Sequence, residues 1–130
     1  MQSKKKVLVI DDEEMHLYTA KGLLESDRIE VVTYRGSFGA TNAVRAARPD
    51  LILLDVNMPA LSGENLVSLL KPLCSELGTP IIFYSSNDET SLQELVRDHE
   101  VQGYVCKGDV IGLQGRVNDI LFSRQLTSAA

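Results

Sequence analysis

Asp11 and Asp12, Asp55, Ser85 and Lys107 are far apart in this chain, yet each follows directly on an apolar run. If those runs are neighbouring strands, their ends bring the five side chains to one edge. Three carboxylates within a few ångströms repel one another, so protons or a divalent cation must offset their charge. One lysine cannot neutralise three acids. Hard oxygen donors around an open position suit Mg²⁺, which keeps several waters and takes few protein carboxylates. Such a site can accept a dianionic phosphoryl group, contacted by the metal, the Lys107 ammonium and the Ser85 hydroxyl. A carboxylate beside the metal can itself take that group as an acyl phosphate. A lone Asp at a strand end would carry none of this, because strands ordinarily give way to polar loops. The reading depends on convergence.

The elements that must produce that convergence alternate along the chain. Val7 to Ile10, Leu51 to Leu54 and Ile81 to Tyr84 are continuous apolar runs, as expected of strands buried on both faces of a parallel sheet. Glu30 to Tyr34 mixes polar and β-branched residues, and Gly103 to Cys106 is short, so both read as edge strands. Helices are expected from the acids at Asp11–Glu14 to about Ser26, over Thr41 to Ala47 and over Gly63 to Leu77, where Pro72 should kink or interrupt the third. A fourth covers Asp88 to His99, and Leu113, Val117, Ile120 and Leu121 stripe a last one. Five strands alternating with five helices make an α/β fold. Placing the apolar strands centrally with right-handed crossovers gives a flavodoxin-like, doubly wound (βα)5 sheet of order 2-1-3-4-5. Its switch point falls between strands 1 and 3, which end in Asp11-Asp12 and Asp55.

Composition sets the frame. At 130 residues the chain is one domain, with a core spanning about residues 5 to 122. A hydrophobic share of 44% and a charged share of 24% are ordinary for a globular protein. No apolar run approaches the roughly 20 residues needed to cross a bilayer. The basic start leads into too short an apolar stretch for a secretory signal, so the chain is read as cytoplasmic, with no membrane partner. A net charge of -5 with scattered basic residues argues against direct nucleic-acid binding. Cys74 and Cys106 lack metal-ligand spacing and read as buried free thiols. His16 and His99 read as isolated surface residues on helices.

These residues together resemble the receiver domain of two-component response regulators, from about Lys5 to Phe122. The likeness rests on Asp11-Asp12, on Asp55-Val56-Asn57-Met58-Pro59 with Gly63, on Ser85, and on Lys107 with Tyr104 three residues before it. It implies that Asp55 is a phosphoacceptor, supplied by a sensor histidine kinase, a phosphotransfer protein or a small phosphodonor. It implies that Asp12, Asp55 and the Asn57 backbone carbonyl bind Mg²⁺ directly, with Asp11 helping through water. Lys107 would pair with the phosphoryl oxygens, Ser85 would move in to bond the phosphate, and Tyr104 would rotate inward as the switch residue. The output would be a changed affinity for a downstream protein at the face formed by helix 4, strand 5 and helix 5. The resemblance implies a signalling domain that assists its own phosphorylation, not an enzyme acting on a separate substrate.

Two positions depart from the family pattern. The proline that usually follows the lysine is Gly108 here, which makes a cis peptide costly and leaves the loop freer. Ser86 replaces the commoner Ala or Gly, so a second hydroxyl stands beside Ser85. Neither change removes a charge that the chemistry needs. The competing reading is a phosphorylation-independent, degenerate receiver that acts as an interaction module. A third, an aspartate-nucleophile phosphatase, wants an Asp-x-Asp that Asp11-Asp12-Glu13 does not supply. Leu126–Ala130 follows helix 5 closely, so the expectation is that no output domain accompanies the receiver; a homodimer is left open.

Overall fold

A computed structural model of the chain describes residues 3–58 and 61–123. Pro59, expected to stop the third strand, and the terminal Leu126–Ala130 lie outside them. The elements run β1 (Lys5–Asp11), α1 (Glu14–Leu24), β2 (Ile29–Arg35), α2 (Ala40–Ala47), β3 (Leu51–Leu54), α3 (Gly63–Leu77), β4 (Ile81–Ser85), α4 (Glu89–His99), β5 (Gly103–Cys106) and α5 (Val110–Phe122). All strand pairs are parallel, in the order β2-β1-β3-β4-β5. This is the order expected from strand polarity. All four residues of β3 are buried, whereas β2 alternates buried with exposed positions, as an edge strand does.

The sheet separates two cores. Leu8, Ile10, Ile52, Leu54 and Phe83 pack beneath α2, α3 and α4. Val7, Val9, Leu51, Leu53 and Tyr84 pack against Leu17 and Ala20 of α1 and Leu113 and Val117 of α5. Each large aliphatic side chain so buried contributes about 1.5–3 kcal/mol by leaving water. Because side chains alternate along a strand, the same packing decides which way the strand ends point. Val9 pairs with Leu53, so Asp11 and Asp55, two residues further on, fall on the α1/α5 side together.

Local chemistry adjusts the helix ends. α1 stops at Leu24, two residues short of the expected end. Ser26 instead turns the chain, its Oγ accepting from the N–H of Arg28 at 3.1 Å and of Ile29 at 3.2 Å. Asp88 is the cap of α4 rather than its first residue, and its Oδ2 accepts from Ser91 N at 3.1 Å. Of the two outcomes expected at Pro72, interruption does not occur. α3 runs on through it as one element, with Leu66, Val67, Leu70 and Cys74 buried on both sides of the proline while Pro72 itself is exposed. Burial of that stripe outweighs the missing N–H, since tertiary packing supplies most helix stability in proteins. Pro72→Ala restores a donor within the helix and is expected to stabilise the chain by about 1–2 kcal/mol. Urea unfolding measures this, and an unchanged midpoint would mean that α3 already relieves the clash.

Candidate functional site

The ends of β1, β3, β4 and β5 bring the residues singled out above to one edge. Carboxylate oxygens of Asp11, Asp12 and Asp55 lie within 4.8 Å of one another. Asp11 and Asp55 are buried, and Asp12 is half-buried. The β1–β3 ladder continues into the site, where Asp55 N donates to Ile10 O at 3.0 Å. Asp11 is fixed by two donors: Glu13 N reaches Oδ1 at 3.0 Å and Lys107 Nζ reaches Oδ2 at 2.6 Å. The same ammonium stands 3.5 Å from Asp55 Oδ1. Arg35 Nε donates to the Asp12 carbonyl at 3.1 Å and steadies the turn that carries it.

Ser85 is fully buried, and Ser86 is exposed, so Ser85 is the hydroxyl that belongs to the site. Its Oγ accepts from Asn57 Nδ2 at 3.3 Å and lies 3.2 Å from Asn87 Oδ1, to which Asn57 Nδ2 also donates. The Lys107 amide donates to Ser85 O at 2.8 Å, tying the β5 turn to β4. The Lys107–Gly108 peptide is trans, and Gly108 has φ +97°, a conformation that glycine adopts without strain. Tyr104 is half-buried, on the same sheet face as Phe83 and Ser85 by register, and its hydroxyl accepts from Gln93 Nε2 of α4 at 3.2 Å. Cys74 is buried and its thiol is pushed up by burial, whereas Cys106 is only half-buried.

Reading the two histidines as isolated surface residues is corrected. His16 Nδ1 lies 2.8 Å from Lys107 Nζ and 3.6 Å from Asp11 Oδ2. Helical side chains lean toward the N-terminus of their helix, so a histidine in the first turn of α1 leans back over the strand ends. His99 stacks edge-on against Phe83, with ring centres 6.4 Å apart. Asn87 was also missed. Its only signal in the sequence was a position two residues after Ser85.

Against this geometry, the family model described as the response regulator receiver domain matches residues 7–113. The chain belongs to that family. Among receivers similar to it, the polar-differentiation response regulator DivK of Brucella anthropi is 27% identical over 103 residues, covering 79% of this chain and 84% of that protein. A protein-glutamate methylesterase/protein-glutamine glutaminase of Halalkalibacterium halodurans is 37% identical over 103 residues, which is 78% of this chain but 29% of that protein. In structure, the chemotaxis protein CheY4 of Vibrio cholerae gives a TM-score of 0.81 at 23% identity, covering 92% of this chain and 100% of that one. The CheY-like receiver domain protein of Methanospirillum hungatei gives 0.82 at 19% identity, over 96% and 99% of the two chains. At those identities the structural likeness speaks for the fold alone.

The receiver's carboxylate cluster has the donor chemistry of a Mg²⁺ site, with hard oxygens and an excess of negative charge. Its electrostatics show in Asp55. Burial pushes the carboxyl above its ordinary range and the Asp11 charge adds to this, while the Lys107 ammonium and the Asn57 amide oppose it. The folded chain therefore retains this proton at pH values where the unfolded chain has released it. The associated stability is complete below the ordinary carboxylate range and is lost as pH rises through the raised pKa. Asp55→Asn has no charge to bury, so near neutral pH it is expected to melt at a higher temperature than the parent. The gap should close on acidification. Thermal melts of both proteins across pH check this, and a variant less stable than the parent at neutral pH would contradict it.

Proposed function

We propose that this receiver takes a phosphoryl group on Asp55 in a Mg²⁺-dependent reaction and changes its affinity for a partner protein as a result. The observation that carries the proposal is the crowding of Asp11, Asp12 and Asp55 within 4.8 Å beside the Lys107 ammonium. Asp12, Asp55 and the Asn57 carbonyl would hold the ion, with Asp11 acting through water. The bound ion would neutralise charge on both the acceptor carboxylate and the incoming phosphoryl oxygens.

The chain's own groups do the rest. An Asp55 oxygen attacks phosphorus in line, and the new P–O bond forms as the bond to the donor's imidazole nitrogen or carboxyl oxygen breaks. Lys107, already within 3.5 Å of Asp55, pairs with a phosphoryl oxygen. Ser85 leaves the Asn57 and Asn87 amides and donates its hydroxyl to another phosphoryl oxygen. That movement frees space on the sheet face that Tyr104 shares, and Tyr104 gives up Gln93 to turn inward. The α4–β5–α5 surface then presents a different shape to a downstream protein. The donor is a sensor histidine kinase or a phosphotransfer protein. The setting is the cytoplasm; among the described residues no helix is long and apolar enough to cross a membrane.

Acetyl phosphate with Mg²⁺ is expected to add one phosphoryl group to the parent and none to Asp55→Asn, read by intact-protein mass spectrometry. Failure of the parent to label would leave a phosphorylation-independent interaction module. Tyr104→Ala is expected to label normally but to lose the phosphorylation-dependent change in partner binding. If the variant keeps that change, Tyr104 has no switching role.

A further inference from the structure

The contacts of Lys107 divide unequally. An ammonium has three N–H donors and no acceptor. Asp11 Oδ2 lies 2.6 Å from Nζ and His16 Nδ1 lies 2.8 Å from it, both full hydrogen bonds. The contact with Asp55 Oδ1 is the long one, at 3.5 Å. Two donors are thus committed to fixed groups, and the third remains for the carboxylate that meets the phosphoryl group. Because Lys107 can only donate, His16 Nδ1 must be the unprotonated nitrogen, and the ring proton sits on Nε2, which faces Glu13 Oε2 at 3.9 Å.

The backbone fixes where the Lys107 side chain starts, its amide donating to Ser85 O at 2.8 Å, but not where the ammonium ends. The peptide to Gly108 is trans, Gly108 sits at φ +97°, and the ammonium ends a four-carbon stem. His16 is anchored differently. It belongs to the first turn of α1, its amide donates to Glu13 O at 3.0 Å, and α1 is held to the sheet by buried Leu17 and Ala20.

We propose that His16 is a positioning residue for Lys107: its Nδ1 takes one ammonium donor and, with Asp11, points Nζ at the Asp55 carboxylate. This rests on the phosphoacceptor reading and adds a residue to it. In transfer from acetyl phosphate, phosphorus gains a bond to an Asp55 oxygen and loses its bond to the acetyl oxygen. Acetate leaves with that electron pair, and Lys107 keeps all its protons. His16 takes no part in the bond changes; it holds the cation where charge gathers on the phosphoryl oxygens.

The test measures Asp55 labelling by acetyl phosphate and Mg²⁺ in His16→Ala and His16→Asn, each with and without Lys107→Ala. His16→Ala is expected to slow labelling roughly tenfold, the scale of a lost hydrogen bond to a charged group. His16→Asn should recover most of the rate, because its Oδ1 is an acceptor at the same remove from the backbone. On Lys107→Ala, the His16 change should slow nothing further. In the metal-free parent, NMR of the imidazole nitrogens should show the Nε2–H form, and Lys107→Ala should abolish that preference. Equal rates for His16→Ala and the parent, or an undiminished effect without Lys107, overturn the proposal while the phosphoacceptor reading stands. A parent that takes no label overturns both.

Discussion

Mutual repulsion among three carboxylates is the constraint on which the rest of the site depends. Two unit charges a few ångströms apart cost several kcal/mol when poorly solvated, and the cost falls steeply only with water or a counter-charge. Asp11 and Asp55 are nearly without water. The described residues supply one ammonium against this, and that ammonium is bonded to Asp11 more closely than to Asp55. Asp55 is therefore the less compensated of the two by this ammonium, in keeping with its raised titration. A group left in that condition gains most from an added cation.

The fold creates this crowding without strain at the residues concerned. Parallel pairing of β1 with β3 in register sets Asp11 beside Asp55, and the same alternation that buries Val9 and Leu53 under α1 and α5 sends both carboxylates to that side. Ser85 and Tyr104 lie on the opposite face, over the core shared by α3 and α4. Asp55 and Tyr104 thus lie on opposite faces of the sheet. Ser85 connects them, because its hydroxyl reaches Asn57 of the β3 loop while its strand carries the register to Tyr104. Under the proposed function, a charge added on one face biases packing on the other through that residue.

Much of this could be read from residues alone. The runs Val7–Ile10, Leu51–Leu54 and Ile81–Tyr84 order the sheet because a strand buried on both faces has no polar position to spare, and a sheet so ordered must gather Asp11, Asp12, Asp55, Ser85 and Lys107 at one edge. What escaped was set by orientation rather than by type. A histidine in a helix has no pattern that separates one leaning over a site from one in solvent, and His16 shares its first turn with the exposed Glu14 and Met15. Asn87 depends on a loop whose course follows from the capping of α4 by Asp88, and Pro72 on a buried stripe strong enough to carry a helix through it. Local propensity misjudged the places where tertiary contacts decide.

The most direct measurement is calorimetric titration of Mg²⁺ into the chain and into Asp12→Asn at low ionic strength. The expected result is a single ion bound per chain, with binding severely weakened in the variant because one of the three crowded charges is gone. Absence of a binding signal in the parent, or the same affinity in both proteins, would contradict the view that these carboxylates are held together for a cation.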